Sequence, residues 1–171
     1  MYQAEKFQDG GITMSASSQM TKRVYLKTSY GWDNGIYYSA AEQGYGKRIS
    51  NSFVWQASDK FNAEINHNFV SLLNKDSDAR YYDLHILRGK FIYQMNQYLF
   101  FRTIVQYNSL SKVIAPNFLA SFTYIPGTVF HVGYGSVFEQ TQWDGRNYVD
   151  HDKYLRTASG LFLKASYLWR L

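Results

Sequence analysis

The amino-acid sequence predicts an all-β fold: an antiparallel up-and-down transmembrane β-barrel wall of about nine to ten strands, either with Met1 to Phe7 as the stub of a tenth strand or, the favoured expectation, as part of a larger barrel. Three observations carry that prediction. Apolar and polar residues alternate with period two along most of the chain, and no sustained helical period competes with it. Tight turns alternate with longer polar links. Aromatic residues make up 19% of the chain, mostly Tyr and Phe, and cluster toward strand ends.

The elements follow in order. Strands are expected over 11–19, 22–31, 45–56, 60–72, 80–95, 97–108, 116–125, 128–139 and 158–171. In the second, Val24, Leu26, Thr28 and Tyr30 oppose Arg23, Lys27 and Ser29. In the fourth, Phe61, Ala63, Ile65 and Phe69 oppose Asn62, Glu64, Asn66 and Asn68. In the fifth, Phe91 and Tyr93 oppose Arg88, Lys90 and Gln94. The sixth, in NQYLFFRTIVQYNS, sets Leu99, Phe101, Thr103, Val105 and Tyr107 against Phe100, Arg102, Ile104, Gln106 and Asn108. Tight hairpins are expected near Met20-Thr21, Ser58-Asp59, Asn96-Gln97 and Pro126-Gly127, with long links at 32–44, 73–79, 109–115 and 140–157. Short turns at one end and long loops at the other describe a bacterial outer-membrane wall. In a soluble barrel the apolar face points inward and the outer face carries many charges.

Composition narrows the classes further. There is no cysteine, so neither a disulfide framework nor thiol chemistry applies. No run of 18 or more uncharged apolar residues could form a spanning helix. The formal charge of +5 is spread along the chain, so nucleic acid is not an expected partner. MYQAEKFQDG has no basic segment leading into an apolar one and does not read as a signal peptide.

RGKFIYQMNQYLFFRTIVQYNS, FLASFTYIPGTVFHVGYGS and GLFLKASYLWRL, in about residues 86–171, resemble the C-terminal part of a family of uncharacterised bacterial outer-membrane barrel proteins. Its members typically carry an N-terminal domain similar to carbohydrate-binding module family 9, followed by a barrel domain of unknown function. The resemblance implies a barrel segment with no assigned catalytic residues. The carbohydrate-binding-like domain has no counterpart in this sequence.

Residue roles follow from the faces. Arg23, Lys27, Arg48, Glu64, Arg88, Lys90, Arg102, Gln106 and Lys164 are assigned to a polar lumen whose excess of cations favours anions. Trp55, Tyr93, Tyr98, Tyr107, Tyr124, Tyr134 and Trp169 are assigned to aromatic girdles at the lipid interface. Tyr98 and Tyr107 are nine steps apart, roughly 23 Å at the usual rise and tilt of a barrel strand. Tyr167, Trp169 and Leu171 form a terminal alternation of the kind that barrel-assembly machinery recognises. The expected partners are outer-membrane lipid, that machinery, and further barrel strands from an upstream segment. No cofactor, metal site or catalytic group is expected.

His67, His85, His131 and His151 have no ligand spacing; the first and third are expected near the wall and the others toward the loops. Asp150-His151-Asp152 reads as solvated loop charge. GWDNGIYYSAAEQGYG reads as a surface loop. The functional expectation is a channel or surface scaffold in the outer membrane, the alternative a barrel that binds an apolar or carbohydrate ligand.

Overall fold

The computed structural model describes residues 9–39, 42–77 and 79–168, and the stub considered over Met1 to Phe7 lies outside them. The described residues form one antiparallel sheet of nine strands in the order β1 to β9, each paired with its sequence neighbours, and no helix occurs among them. The strands are β1 (Gly11–Thr21), β2 (Val24–Tyr37), β3 (Glu42–Ser58), β4 (Phe61–Asn74), β5 (Arg80–Gln94), β6 (Leu99–Asn108), β7 (Val113–Ile125), β8 (Thr128–Trp143) and β9 (Tyr148–Ser166). All nine expected strands are present, although several run further than their alternation alone suggests.

The connectors are built from local side-chain chemistry. Thr21, Ser58, Asn74, Asn96, Asn108 and Asp144 each sit at or beside a strand end, and each side-chain oxygen accepts backbone N–H groups from the next few residues. That self-capping is why Ser, Asn and Asp stop strands here. Gly127 (φ 92°) and Gly145 (φ 101°) supply the left-handed conformations that two of the turns demand.

Two of the expected long links shrink. Residues 32–44 and 140–157 are mostly strand: β2 pairs with β3 as far as Tyr37↔Glu42, and β8 with β9 as far as Trp143↔Tyr148. The polar residues of these segments belong to a ladder in which backbone pairing, not apolar alternation, maintains the strand. The difference in length between the two sets of connectors is therefore smaller than expected.

Continuous register carries every side chain onto one of two faces. Thr28↔Asn51↔His67↔Leu87↔Tyr107↔Ile114↔Phe138↔Arg156 is one unbroken row from β2 to β9, with Ala16 of β1 beside Thr28. The face it belongs to also carries Leu26, Phe53, Ile65, Phe91, Phe101, Phe118, Val132 and Leu163. Nothing among the described residues covers that face. Among the described residues only Ala63 and Leu72 are buried apolar side chains, while Met14 is 71% exposed and Leu163 74%. An apolar surface of this extent marks an interaction surface.

Among the described residues β1 and β9 are not paired with each other. Because the strand count is odd and every pair is antiparallel, these two edge strands run in the same direction.

Candidate functional site: a basic polar face

The opposite face collects the chemistry. Reading directly across the sheet, Lys27↔Ser52↔Asn66↔Arg88↔Gln106 form one row, Glu64↔Lys90 the next toward the short turns, and Arg102 follows opposite Ile92. Arg48 lies on β3 opposite Gly31, and Lys164 on β9 opposite His131. Eight of the nine residues assigned by alternation thus share one face. Arg23 is the exception. It lies in the Lys22-Arg23 turn, where its guanidinium donates to the carbonyl of Ala57 (3.1 Å) and ties two neighbouring short turns together.

The face has more cations than carboxylates to hold them. Glu64 accepts Lys90 at 2.6 Å and also Asn66 at 2.9 Å, and Asp33 holds Arg48. Lys27, Arg88, Arg102 and Lys164 form no ion pair among the described residues. A trough of about 530 Å³ runs across β2 to β6, lined by Lys27, Ser29, Ser50, Asn68, Arg88 and Gln106 among others. A hollow of about 400 Å³ with Arg88, Arg102, Gln106 and Asn117 adjoins it. Uncompensated positive charge beside hydroxyls and amides attracts anions and can hydrogen-bond their hydration shell or hydroxyl groups.

Close approach needs small residues. Gly35 and Gly44 lie on this face of the β2–β3 hairpin, where a Cβ would run into Leu72 or the Leu73 carbonyl. This accounts for the glycines of GWDNGIYYSAAEQGYG, which open a hairpin surface rather than forming a loop. Gly133 lies under the ring of its cross-strand partner Phe162.

The aromatic residues divide by position. Trp55, Tyr93 and Tyr124 lie on the apolar face beside short turns, and Trp55 meets Phe61 edge to face with centroids 6.5 Å apart. Tyr107 and Tyr134 lie on the same face farther from those turns. Tyr98 is in the 95–98 connector, outside β6, so the nine-step Tyr98–Tyr107 spacing does not measure one strand face. Tyr167 is exposed just past β9, and Trp169 and Leu171 lie outside the described residues.

Two histidines that alternation left apart come together. His67 Nε2 and His85 Nδ1 are 3.1 Å apart, with ring planes 13° from parallel and centroids separated by 5.4 Å. Those values describe nearly coplanar rings joined end to end by an N–H···N bond, not rings stacked face to face. Phe69 packs against His85 at 4.6 Å. The pair lies on the apolar face, beside the Thr28–Asn51 hydrogen bond of 2.8 Å. Cross-strand register is the signal that joins His67 to His85. His131 lies on the polar face with a buried Nδ1 that finds no partner among the described residues.

Asp150-His151-Asp152 does not assemble as an acid-base group. His151 Nδ1 accepts the backbone N–H of Lys153 (3.0 Å), and Asp150 faces Lys112 at 3.7 Å. No group of three metal-ligating side chains forms among the described residues. Comparison with protein-family models, with curated proteins and with solved structures found no match. Function is therefore argued from the two faces themselves.

Proposed function

We propose that the chain is a segment of an outer-membrane β-barrel wall whose basic face lines a polar lumen and whose apolar face meets lipid. The observation that carries this reading is the stagger of the short turns. The row through Thr28 and Phe138 stands four positions from Val24, the turn-side end of β2, but ten from Thr128, that of β8. At about 3.3 Å per residue, this drift of roughly six residues over six strand spacings of about 4.8 Å corresponds to a tilt of about 35°. Barrel strands tilt at about that angle.

With the short turns levelled at that tilt, the polar residues of the apolar face sort by height. Lys47, Ser71, Asp83, His85, Ser136, Ser159 and Arg156 all fall on a rim at the far side. Below them lies an apolar belt about nine residue steps tall, or roughly 25 Å, the expected height of a lipid-facing band. Its polar interruptions are few. Thr28 and Asn51 bond to each other and His67 to His85, as an environment without water requires, and the remaining interruptions, Ser18 and Thr103, are small hydroxyl side chains.

Closure calls for more strands. Two parallel edges cannot meet as an antiparallel pair, so an odd number of further strands, from an upstream segment or a partner, would close the wall and satisfy both edges. Such a segment would reach the membrane through barrel-assembly machinery, consistent with the resemblance to uncharacterised outer-membrane barrels. In this reading Lys27, Arg88, Arg102 and Lys164 give the lumen its preference for anions.

The test sets Val132, which is 46% exposed near mid-belt, against Arg102 on the other face. Val132→Lys is expected to lower the stability of the protein folded into vesicles by about 2–4 kcal/mol, whereas Arg102→Ala leaves insertion intact. On a water-exposed surface the same lysine would be nearly neutral. Equal stability of Val132→Lys and wild type in a denaturant titration would overturn the face assignment.

A further inference from the structure

At the rim, beside the outer edge of the sheet, a cation and an apolar groove occur together. Lys47 and Trp32 are direct cross-strand partners, with the ammonium 5.9 Å from the indole centroid. Continuing along that row, Lys47 meets Ser71 and then Asp83, but Asp83 is held by Arg80 at 2.7 Å. Lys47 forms no ion pair among the described residues. Immediately beside it, a groove of about 500 Å³ is lined chiefly by the apolar side chains Ile12, Met14, Tyr30 and Trp32. Ile12 and Met14 are 70% and 71% exposed, so the groove is open along the face that meets lipid in the reading above.

We propose that this juxtaposition is a binding site for a phosphorylated lipid: Lys47 takes the anionic headgroup, Trp32 and Tyr30 border the interface, and Ile12 and Met14 hold an acyl chain. The inference rests on the membrane reading and deepens it. Its logic is complementarity in both charge and height. A lysine on an otherwise apolar face extends its ammonium toward the headgroup level, where a lipid phosphate matches its charge, while Asp33 in the groove lining is already held by Arg48. The neighbouring indole is suited to the same boundary, being apolar in body and polar at its N–H. The groove passes the row of Lys47, from Gly10 and Asn34 beyond it to Met14 and Tyr30 on its belt side, and that belt-side part is where an acyl chain hanging from a headgroup at Lys47 would run.

The full chain contains four tryptophans. With Trp55, Trp143 and Trp169 each changed to Phe, the remaining Trp32 reports contact with brominated acyl chains. The protein is folded into phosphatidylcholine vesicles carrying a minor fraction of either brominated phosphatidic acid or brominated phosphatidylcholine. Stronger quenching by the phosphatidic acid is expected, with a preference that Lys47→Gln reduces about fivefold and Lys47→Arg preserves. Met14→Ser should weaken quenching by both lipids without changing their ratio.

Equal quenching by the two lipids, or a preference unchanged in Lys47→Gln, overturns the proposal while leaving the barrel reading in place. Displacement by inorganic phosphate at the same concentration would indicate an anion site that needs no acyl chain, and would overturn the lipid assignment. Failure to enter pure phosphatidylcholine vesicles even when the strands that close the wall are supplied would overturn the barrel reading and this site with it.

Discussion

Asp144 illustrates how single residues shape this sheet. Its Oδ1 accepts the backbone N–H groups of Asn147 and Arg146, both at 2.7 Å, and these bonds hold its carboxyl below the usual aspartate range. The charged form therefore favours the closed connector. Its contribution is complete above the ordinary aspartate value and is lost as pH falls through the lower folded one. Amide exchange at Arg146 and Asn147, corrected for intrinsic rates, should lose protection on that descent. Asp144→Asn keeps the acceptor without the charge, so its protection should stay flat with pH, and Asp144→Ala should show little at any pH. At this scale the sequence is only partly legible. Asp144-Gly145 is a strong hairpin dipeptide that marks the β8–β9 turn, yet the acidic residues around it read as a long solvated loop.

Among elements, β8 and β9 offer the sharpest test of packing. Phe162 covers Gly133, so a methyl group at position 133 would displace the ring. Gly133→Ala and Phe162→Ala should each lower stability, by about 1 kcal/mol for loss of the cross-strand contact. The double variant should be more stable than the sum of the two predicts, because the added methyl group no longer meets a ring. Denaturant midpoints of the four proteins measure the difference; strict additivity would mean that the ring tolerates a Cβ beneath it. Strand centres were readable because side chains alternate there. Strand ends in β2, β3, β8 and β9 were not, because glycines, tyrosines and amides on both faces leave no alternation to follow while the backbone ladder continues. The His67–His85 contact was hidden for a related reason: it depends on which residues lie diagonally across β4 and β5, and register is not written in either strand alone.

For the molecule as a whole, the proposed lumen would take its electrical behaviour from the polar face. Neutralising Lys27, Arg88 and Arg102 together as glutamines should move the reversal potential of any pore containing this wall toward zero in a salt gradient, from an initial sign that favours the anion. Conductance that keeps its anion preference in the triple variant would put the charge selection elsewhere. The assignment of residues to faces was legible from alternation, since it needs only period two. Arg23 escaped because it lies one residue before β2, and a turn residue answers to local geometry rather than to either face. The paired carboxylates were less legible, because Asp33 meets Arg48 only after the β2–β3 register is known.

In the proposed barrel, the drift of the short turns would also shape the path of a solute. The row Lys27–Ser52–Asn66–Arg88–Gln106 starts three positions from the turn-side end of β2 and finishes seven positions from that of β6. In a closed wall such a row is a screw thread, not a ring. An anion passed between hydrogen-bonding groups along it would climb as it travelled around, exchanging partners about every 5 Å, the spacing between strands. Lys27 and Arg88 would then act in succession at different depths, and passage would be a spiral ascent past staggered charges rather than a jump through one narrow collar.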